Sequence, residues 1–279
     1  MSSTRVFLVT SLAMLAFAGN SVLCRLALAH TLIDPASFTA IRLLSGAMFL
    51  WVVVKLRGGN AAGGGNWLSA LALLIYALGF SLAYVGLSAA TGALLLFGAV
   101  QATMLGVGIL RGERLNTRQI IGVLLALGGL IALLLPGLSA PPLGSAALMA
   151  GAGVAWGVYS LRGRGAGDST KVTAGNFLRA TPAALMICLV SPHMPLDQRG
   201  MACAVLSGAL ASGLGYTLWY AVLPSLKSTL AAVVQLSVPV IATLSGSALL
   251  DEAVTRRVML ASGAILGGIA IVVLARRRA

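Results

Sequence analysis

The sequence predicts an all-α membrane protein of ten transmembrane helices, arranged as two inverted five-helix repeats around a central cavity. Three observations carry that expectation. Hydrophobic residues make up 59% of the 279, and charged residues only 9%, whereas a soluble domain carries roughly a quarter charged. That leaves too little polar surface to coat a water-soluble particle. The apolar residues gather into ten runs, most near the ~20-residue length that crosses a bilayer. The two halves of the chain also resemble each other at shifts of 136 to 139 residues.

The first run, Val6 to Ala29, resembles a cleavable signal peptide, with Arg5 before it and Ala27-Leu28-Ala29 at its end. It continues past Asn20, carries Arg25 and has a counterpart in the second half, so it reads as a retained span. Pro35 to Val54, Trp67 to Ser88, Thr91 to Leu110 and Ile120 to Leu135 complete the first set. The second set is Leu143 to Leu161, Val172 to Val190, Gly200 to Leu223, Ser228 to Leu250 and Val258 to Ala275. The connections are rich in Gly, Pro, Asn and Arg, as in Arg57-Gly58-Gly59-Asn60 and Pro141-Pro142, and none is long enough to hold a soluble domain.

Charge placement supports ten spans. With the N-terminus inside, thirteen Lys and Arg residues fall in inside loops and three, Arg199, Arg256 and Arg257, in outside loops. Arg25, Arg42 and Arg179 lie within apolar runs, which accounts for all nineteen. The net charge of +13 therefore reflects membrane orientation, and a nucleic-acid partner is not expected. Cys24, Cys188 and Cys203 all lie in apolar runs without metal-ligand spacing, so they read as small buried hydrophobes. No cofactor and no metal are expected.

The repeat divides the chain at 1–139 and 140–279. A shift of 139 sets Glu113 to Arg118 on Glu252 to Arg257, and Leu127-Gly128-Gly129 on Leu266-Gly267-Gly268. Shifts of 136 to 137 set Arg42 on Arg179, and Gly79, Leu82, Tyr84 and Leu87 on Gly215, Leu218, Tyr220 and Leu223. Five is odd, so the second copy enters the membrane from the opposite side. Inverted repeats of this kind recur in secondary transporters, with the substrate held near mid-membrane between the halves.

A run ending in Gly112-Glu113-Arg114-Leu115-Asn116, followed by a helix with Gly128-Gly129, resembles the repeat signature of the drug/metabolite transporter superfamily. Pro239 through Leu249-Leu250-Asp251-Glu252 looks the same in the second half. Trp156-Gly157, Arg42 and Arg179 fit its ten-helix EamA-type branch, and the whole pattern looks most like the YddG-type exporters of aromatic and other amino acids. Two departures make the halves unequal: Phe17-Ala18 stands where the second half has Trp156-Gly157, and Val100 where it has Pro239. The resemblance implies a cavity lined mainly by helices 1, 3, 4, 6, 8 and 9. It also implies a multi-pass protein of the bacterial cytoplasmic membrane with both termini inside.

Polar groups deep in a membrane helix are costly unless they face protein or water. Asn20, Gln101 and Gln235 are the deep ones, and each amide can both donate and accept to a substrate or to a neighbouring helix. Aromatic stripes run at i, i+4 on helix 3 (Tyr76, Phe80, Tyr84) and helix 8 (Ser212, Tyr216, Tyr220, with Trp219 beside them). Trp156 and Tyr159 add rings on helix 6. The substrate-site candidates are Asn20, Tyr84, Gln101, Trp156, Tyr159, Tyr216, Trp219, Tyr220 and Gln235. Arg42, Arg179, Glu113 and Glu252 read as structural. Inversion makes pairs of Arg42 with Glu252 and of Arg179 with Glu113 geometrically possible, and either arginine can also bind backbone carbonyls. Lys227, after Pro224, reads as a topology charge. Gly263 and Gly267 form a small-residue step read chiefly as packing within a monomer, which is favoured over a dimer.

All six acidic residues sit in loops or at helix ends. No carboxylate is placed to relay protons at mid-membrane, which favours neutral or zwitterionic cargo without obligatory proton coupling. The expected partners are a small-molecule substrate and the lipid bilayer. The expected function is export of small metabolites, foremost amino acids, by alternating access. Phosphorylated metabolites or nucleotide sugars are the alternative cargo. A membrane-embedded enzyme is the alternative class, and it lacks a nucleophile-and-base set or clustered carboxylates. The orientation is open to labelling: single cysteines at Asn60 and Ser169 should react from inside, and one at Ser139 from outside. Reversal at any of these sites contradicts it.

Overall fold

The computed structural model describes residues 3–61, 63–110, 115–135, 140–163, 167–191, 197–226 and 234–275. Among the described residues the chain is all helical, with no strand, and forms ten helical segments. These are α1 (Ser3–His30), α2 (Pro35–Leu56), α3 (Trp67–Tyr84), α4 (Ala89–Leu110), α5 (Thr117–Leu134), α6 (Leu143–Gly163), α7 (Ser169–Val190), α8 (Gln198–Ser225), α9 (Ser237–Leu250) and α10 (Arg256–Ala275). Seven, α1–α5, α7 and α8, are each long and apolar enough to cross a membrane.

Large apolar side chains point outward along the bundle. Leu244, Leu189 and Leu260 are 67%, 69% and 76% exposed. A water-soluble surface rarely carries such a continuous apolar patch; a lipid-facing one requires it.

The helix ends explain where the acidic residues went. Asp34, Asp168 and Asp197 are N-caps of α2, α7 and α8, their carboxylates accepting from backbone N–H groups of the first turn. A carboxylate there satisfies orphan donors and meets the positive end of the helix dipole. Asn66 caps α3, and Asn116 with Gln119 forms a reciprocal capping box on α5. Asp251 closes α9 in the left-handed region, at φ 51°. Helix α3 ends at Tyr84 rather than at Ser88, because residues 85–88 form the turn into α4. Pro239 sits in the first turn of α9, where a missing N–H costs no ladder bond.

Inversion of the repeat is visible in how equivalent helices pair. Gly122 of α5 lies against Gly268 and Val272 of α10, while Gly129 lies against Ala261, Ala264 and Ile265. Residue numbers rise along one helix as they fall along the other, so α10 runs antiparallel to its counterpart α5. The pair α2 and α7 behaves alike, with Ser37 beside Cys188 and Gly46 beside Phe177. The cross-half packing is symmetric as well: α1 packs on α8 and α9 as α6 packs on α3 and α4. The halves therefore interleave.

Helix α8 departs from the expected regular helix. Its middle, Ser207–Leu214, is π-helical, a rare geometry that often marks functional sites. Gly208 in this stretch faces the Arg42 carbonyl and the Ser45 hydroxyl of α2 so closely that a Cβ has no room. Among the described residues, the small-residue step expected at Gly263 and Gly267 makes no close packing contact, since none lies within 4 Å of a Cβ at either position. The intimate contact instead uses Gly268, one residue along, where backbone meets backbone. A Gly268→Ala variant should lose about 1–3 kcal/mol through overpacking, read as a lower unfolding temperature in detergent. Gly267→Ala should be neutral or slightly stabilising, by up to ~1 kcal/mol of helix propensity. Equal effects from the two contradict the packing described.

Candidate functional site

Halfway along the bundle, aromatic side chains from both halves meet. The Trp156 ring lies 4.9 Å from that of Tyr76, 4.7 Å from Tyr216 and, edge-on, 6.1 Å from Phe17 (centroid distances). Phe17 occupies the position in α1 that Trp156 occupies in α6, so the pseudo-symmetry axis passes between these two rings. Around them is a small cavity lined by Phe17, Asn20, Ser21, Tyr76, Phe80, Leu96, Phe97, Trp156 and Tyr216. It has room for about one water molecule. Helices α1, α3, α4, α6 and α8 supply this wall; α9, expected to contribute, supplies none of it among the described residues.

One side of the cavity is polar. Ser207 Oγ donates to Asn20 Oδ1 at 2.6 Å, and Asn20 Nδ2 donates to the Tyr76 hydroxyl at 3.2 Å. Arg42 Nη2 donates to the same hydroxyl at 3.0 Å and to that of Tyr216 at 3.4 Å, while Arg42 Nε donates to Ser212 Oγ at 3.2 Å. The guanidinium also sits over the rings of Tyr76 and Phe80, 5.2 and 5.0 Å from their centroids. Arg42 is 1% exposed. The π-helical turn matters here. Residues i and i+5 point about 140° apart on an α-helix, whereas the wider π turn lets Ser207 and Ser212 reach the same network.

The structure distributes the sequence candidates unevenly. Asn20, Trp156 and Tyr216 line the cavity. Tyr159, Tyr84 and Trp219 stand one ring behind it: Tyr159 packs on Trp156 (5.5 Å), Tyr84 on Phe80 (4.7 Å) and Trp219 on Phe17 (6.1 Å). Tyr159 also accepts from Asn176 Nδ2 at 3.4 Å. Tyr220 is buried beside Gly163. Gln101 and Gln235 are buried, but neither borders this space. Tyr76, Phe80 and Phe17 were legible as stripe or repeat positions but were not selected. Ser207 escaped notice because no α-helical face connects it to Ser212.

The arginines part company. Arg179 donates to the carbonyls of Gly64 and Gly175 and lies over Trp67; carbonyl binding is one of the alternatives the sequence leaves open for it. Arg42 does not pair with Glu252. Arg25 takes that carboxylate instead, with Nε 2.8 Å from Oε1. The reason is reach: Glu252 lies beside the α3–α4 turn, where Oε2 accepts from Ala89 N–H at 2.7 Å and Arg25 Nη1 donates to the Tyr84 and Val85 carbonyls. Together these contacts tie α1, the α3–α4 turn and the end of α9 at one end of the bundle. At the other end, Arg162 of α6 binds Asn66 and Ser69 at the start of α3. Glu113 and Lys227, and with Glu113 its pairing to Arg179, lie outside the described residues.

Comparison with known proteins adds an independent line. The family model described as "EamA-like transporter family" matches residues 4–135 and again 143–274. The chain is 57% identical over 278 residues to an uncharacterized protein of Pseudomonas aeruginosa, covering 99% of this chain and 97% of the other. A solved structure, described only as a crystal structure of a protein, superposes with a TM-score of 0.70 over 99% of both chains at 20% identity. That likeness concerns the fold alone.

The network makes a stability prediction. Tyr76→Phe removes the acceptor shared by Asn20 and Arg42 and should cost about 1–3 kcal/mol. Tyr84→Phe loses a long 3.5 Å contact to the Ala89 carbonyl and a neutral contact with the Ser21 hydroxyl, but no partner of a buried cation, and should cost less. Unfolding temperatures in detergent decide it, and equal losses contradict the network.

Proposed function

The chain belongs to the EamA-like transporter family and is a multi-pass membrane transporter; on that premise we propose that it exports small neutral or zwitterionic metabolites. Amino acids with aromatic or other apolar side chains are the foremost cargo. The path is alternating access across the bacterial cytoplasmic membrane, by a monomer with both termini inside, and the units 1–139 and 140–279 move against each other. The observation that carries this reading is the ring cluster of Phe17, Tyr76, Trp156 and Tyr216 beside one polar edge at the pseudo-symmetry axis. Rings suit a flat apolar group through offset and edge contacts, and amides and hydroxyls suit the polar end.

The cavity's size fits a closed state. With room for about one water, it must widen for an amino acid, and the contacts at the two ends are the ones to release. Parting at Arg25 and Glu252 opens one side; parting at Arg162 and Asn66 opens the other. Phosphorylated cargo fits less well: two negative charges call for more than one cation at the site, and Arg179, the repeat counterpart of Arg42, binds carbonyls and does not line the cavity.

Transport in proteoliposomes tests this. Phenylalanine should move without an imposed pH gradient, and Trp156→Ala should reduce its rate more than that of alanine, by roughly tenfold for loss of an aromatic contact set. Unchanged transport of both by Trp156→Ala and Tyr216→Ala removes the ring cluster from the site. A strict need for a proton gradient removes the uncoupled mechanism.

A further inference from the structure

We propose that Arg42 supplies the counter-charge for a carboxylate on the transported molecule, so that the recognised class is an amphipathic monocarboxylate whose amine is dispensable. This rests on the transport reading and states which group of the cargo is recognised.

Among the described residues, Arg42 is a buried cation without an anion. No described carboxylate bonds to it, and the five described acidic residues have other places. Asp34, Asp168 and Asp197 cap helices, Asp251 closes α9, and Glu252 holds Arg25. Hydroxyls and ring faces orient the guanidinium but leave its charge unneutralised, and burying an uncompensated ion costs several kcal/mol. A bridge between α2, α3 and α8 alone needs no charge; Asn20 joins α1, α3 and α8 with a neutral amide. Ionisable groups retained inside a membrane bundle are functional by default.

Two details set the charge directly behind the cavity wall with a donor to spare. Nη2 touches the hydroxyls of Tyr76 and Tyr216, and both residues line the cavity. Nη1 is buried with no hydrogen-bond partner, so part of the guanidinium's donor set is unfilled. The planar fork of an arginine matches a carboxylate in two parallel bonds. One cation suits one negative charge. An ammonium on the same molecule meets no carboxylate here, only ring faces such as those of Trp156 and Tyr76 and neutral acceptors. The carboxylate is then the group that binds, and the amine adds little.

Three ligands sharing one skeleton separate these groups: phenylalanine, 3-phenylpropanoate without the amine, and 2-phenylethylamine without the carboxylate. Binding to the full chain in lipid nanodiscs is measured for each. The expected result is that the two carboxylates bind and compete, with 2-phenylethylamine roughly tenfold weaker or worse, as for loss of a charged hydrogen-bonded pair. In Arg42→Met both carboxylates should weaken by a similar factor while the amine is unaffected, and Arg42→Lys should retain part of the preference. The wild-type series alone is decisive if a variant does not fold. Equal binding of the amine and phenylalanine overturns the proposal while leaving transport of small aromatics intact. So does an Arg42→Met variant that weakens all three ligands equally, which is a structural role. Binding of 3-phenylpropanoate without phenylalanine supports the proposal and overturns amino acids as cargo. Binding of none of the three overturns the carboxylate class.

Discussion

A charge in the middle of a membrane bundle has to be satisfied by protein, because no solvent is there to do it. In this chain that charge is Arg42, and the centre of the molecule is arranged around it. Its Nε requires Ser212, and its Nη2 requires the hydroxyls of Tyr76 and Tyr216. Those three partners come from α3 and α8, one from each half. Bringing α8 within reach of α2 needs a glycine at 208, where a methyl group would meet the Arg42 carbonyl. Bringing Ser207 into the same network needs the π-helical turn. Asn20, held between Ser207 and Tyr76, then fastens α1 to the set.

The repeat explains why only one arginine occupies the centre. Arg179 is the counterpart of Arg42, and at the repeat shift Tyr216 corresponds to Phe80, which has no hydroxyl. Arg179 turns instead to the carbonyls of Gly64 and Gly175 and the face of Trp67. The fold is symmetric in its helix packing and asymmetric in its chemistry. In a carrier, that combination lets the two halves exchange roles during opening while a single polar edge holds the cargo throughout.

The fold was legible because lipid imposes simple rules. Ten apolar runs, their spacing and the repeat follow from bilayer thickness and from the need to keep charge at helix ends. Asp34, Asp168 and Asp197 look like loop acids in the sequence and prove to be N-caps, a local rule applied five times over with Asn66 and Asn116. The site was less legible. Trp156 and Tyr216 stood out as rings in apolar runs, but Gln101 and Gln235 were equally prominent and do not border the cavity. An α-helical wheel cannot show that Ser207 joins Ser212, because the π turn follows from packing against α2. Inversion makes a pair of Arg42 with Glu252 possible, but it does not show that Arg25 is nearer. The step at Gly263 and Gly267 missed the true contact at Gly268 by one residue, which on a helix is a change of face.

Under the proposed function, one closed site is presented alternately to the two sides of the membrane. Counterflow tests it most directly. Vesicles carrying the purified protein are loaded with unlabelled phenylalanine and diluted into a trace of labelled phenylalanine, with no ion gradient. An alternating carrier returns labelled molecules inward as unlabelled ones leave, so label should rise transiently above its equilibrium level and then decay. A steady approach to equilibrium without an overshoot, as through a channel or a leak, contradicts the account.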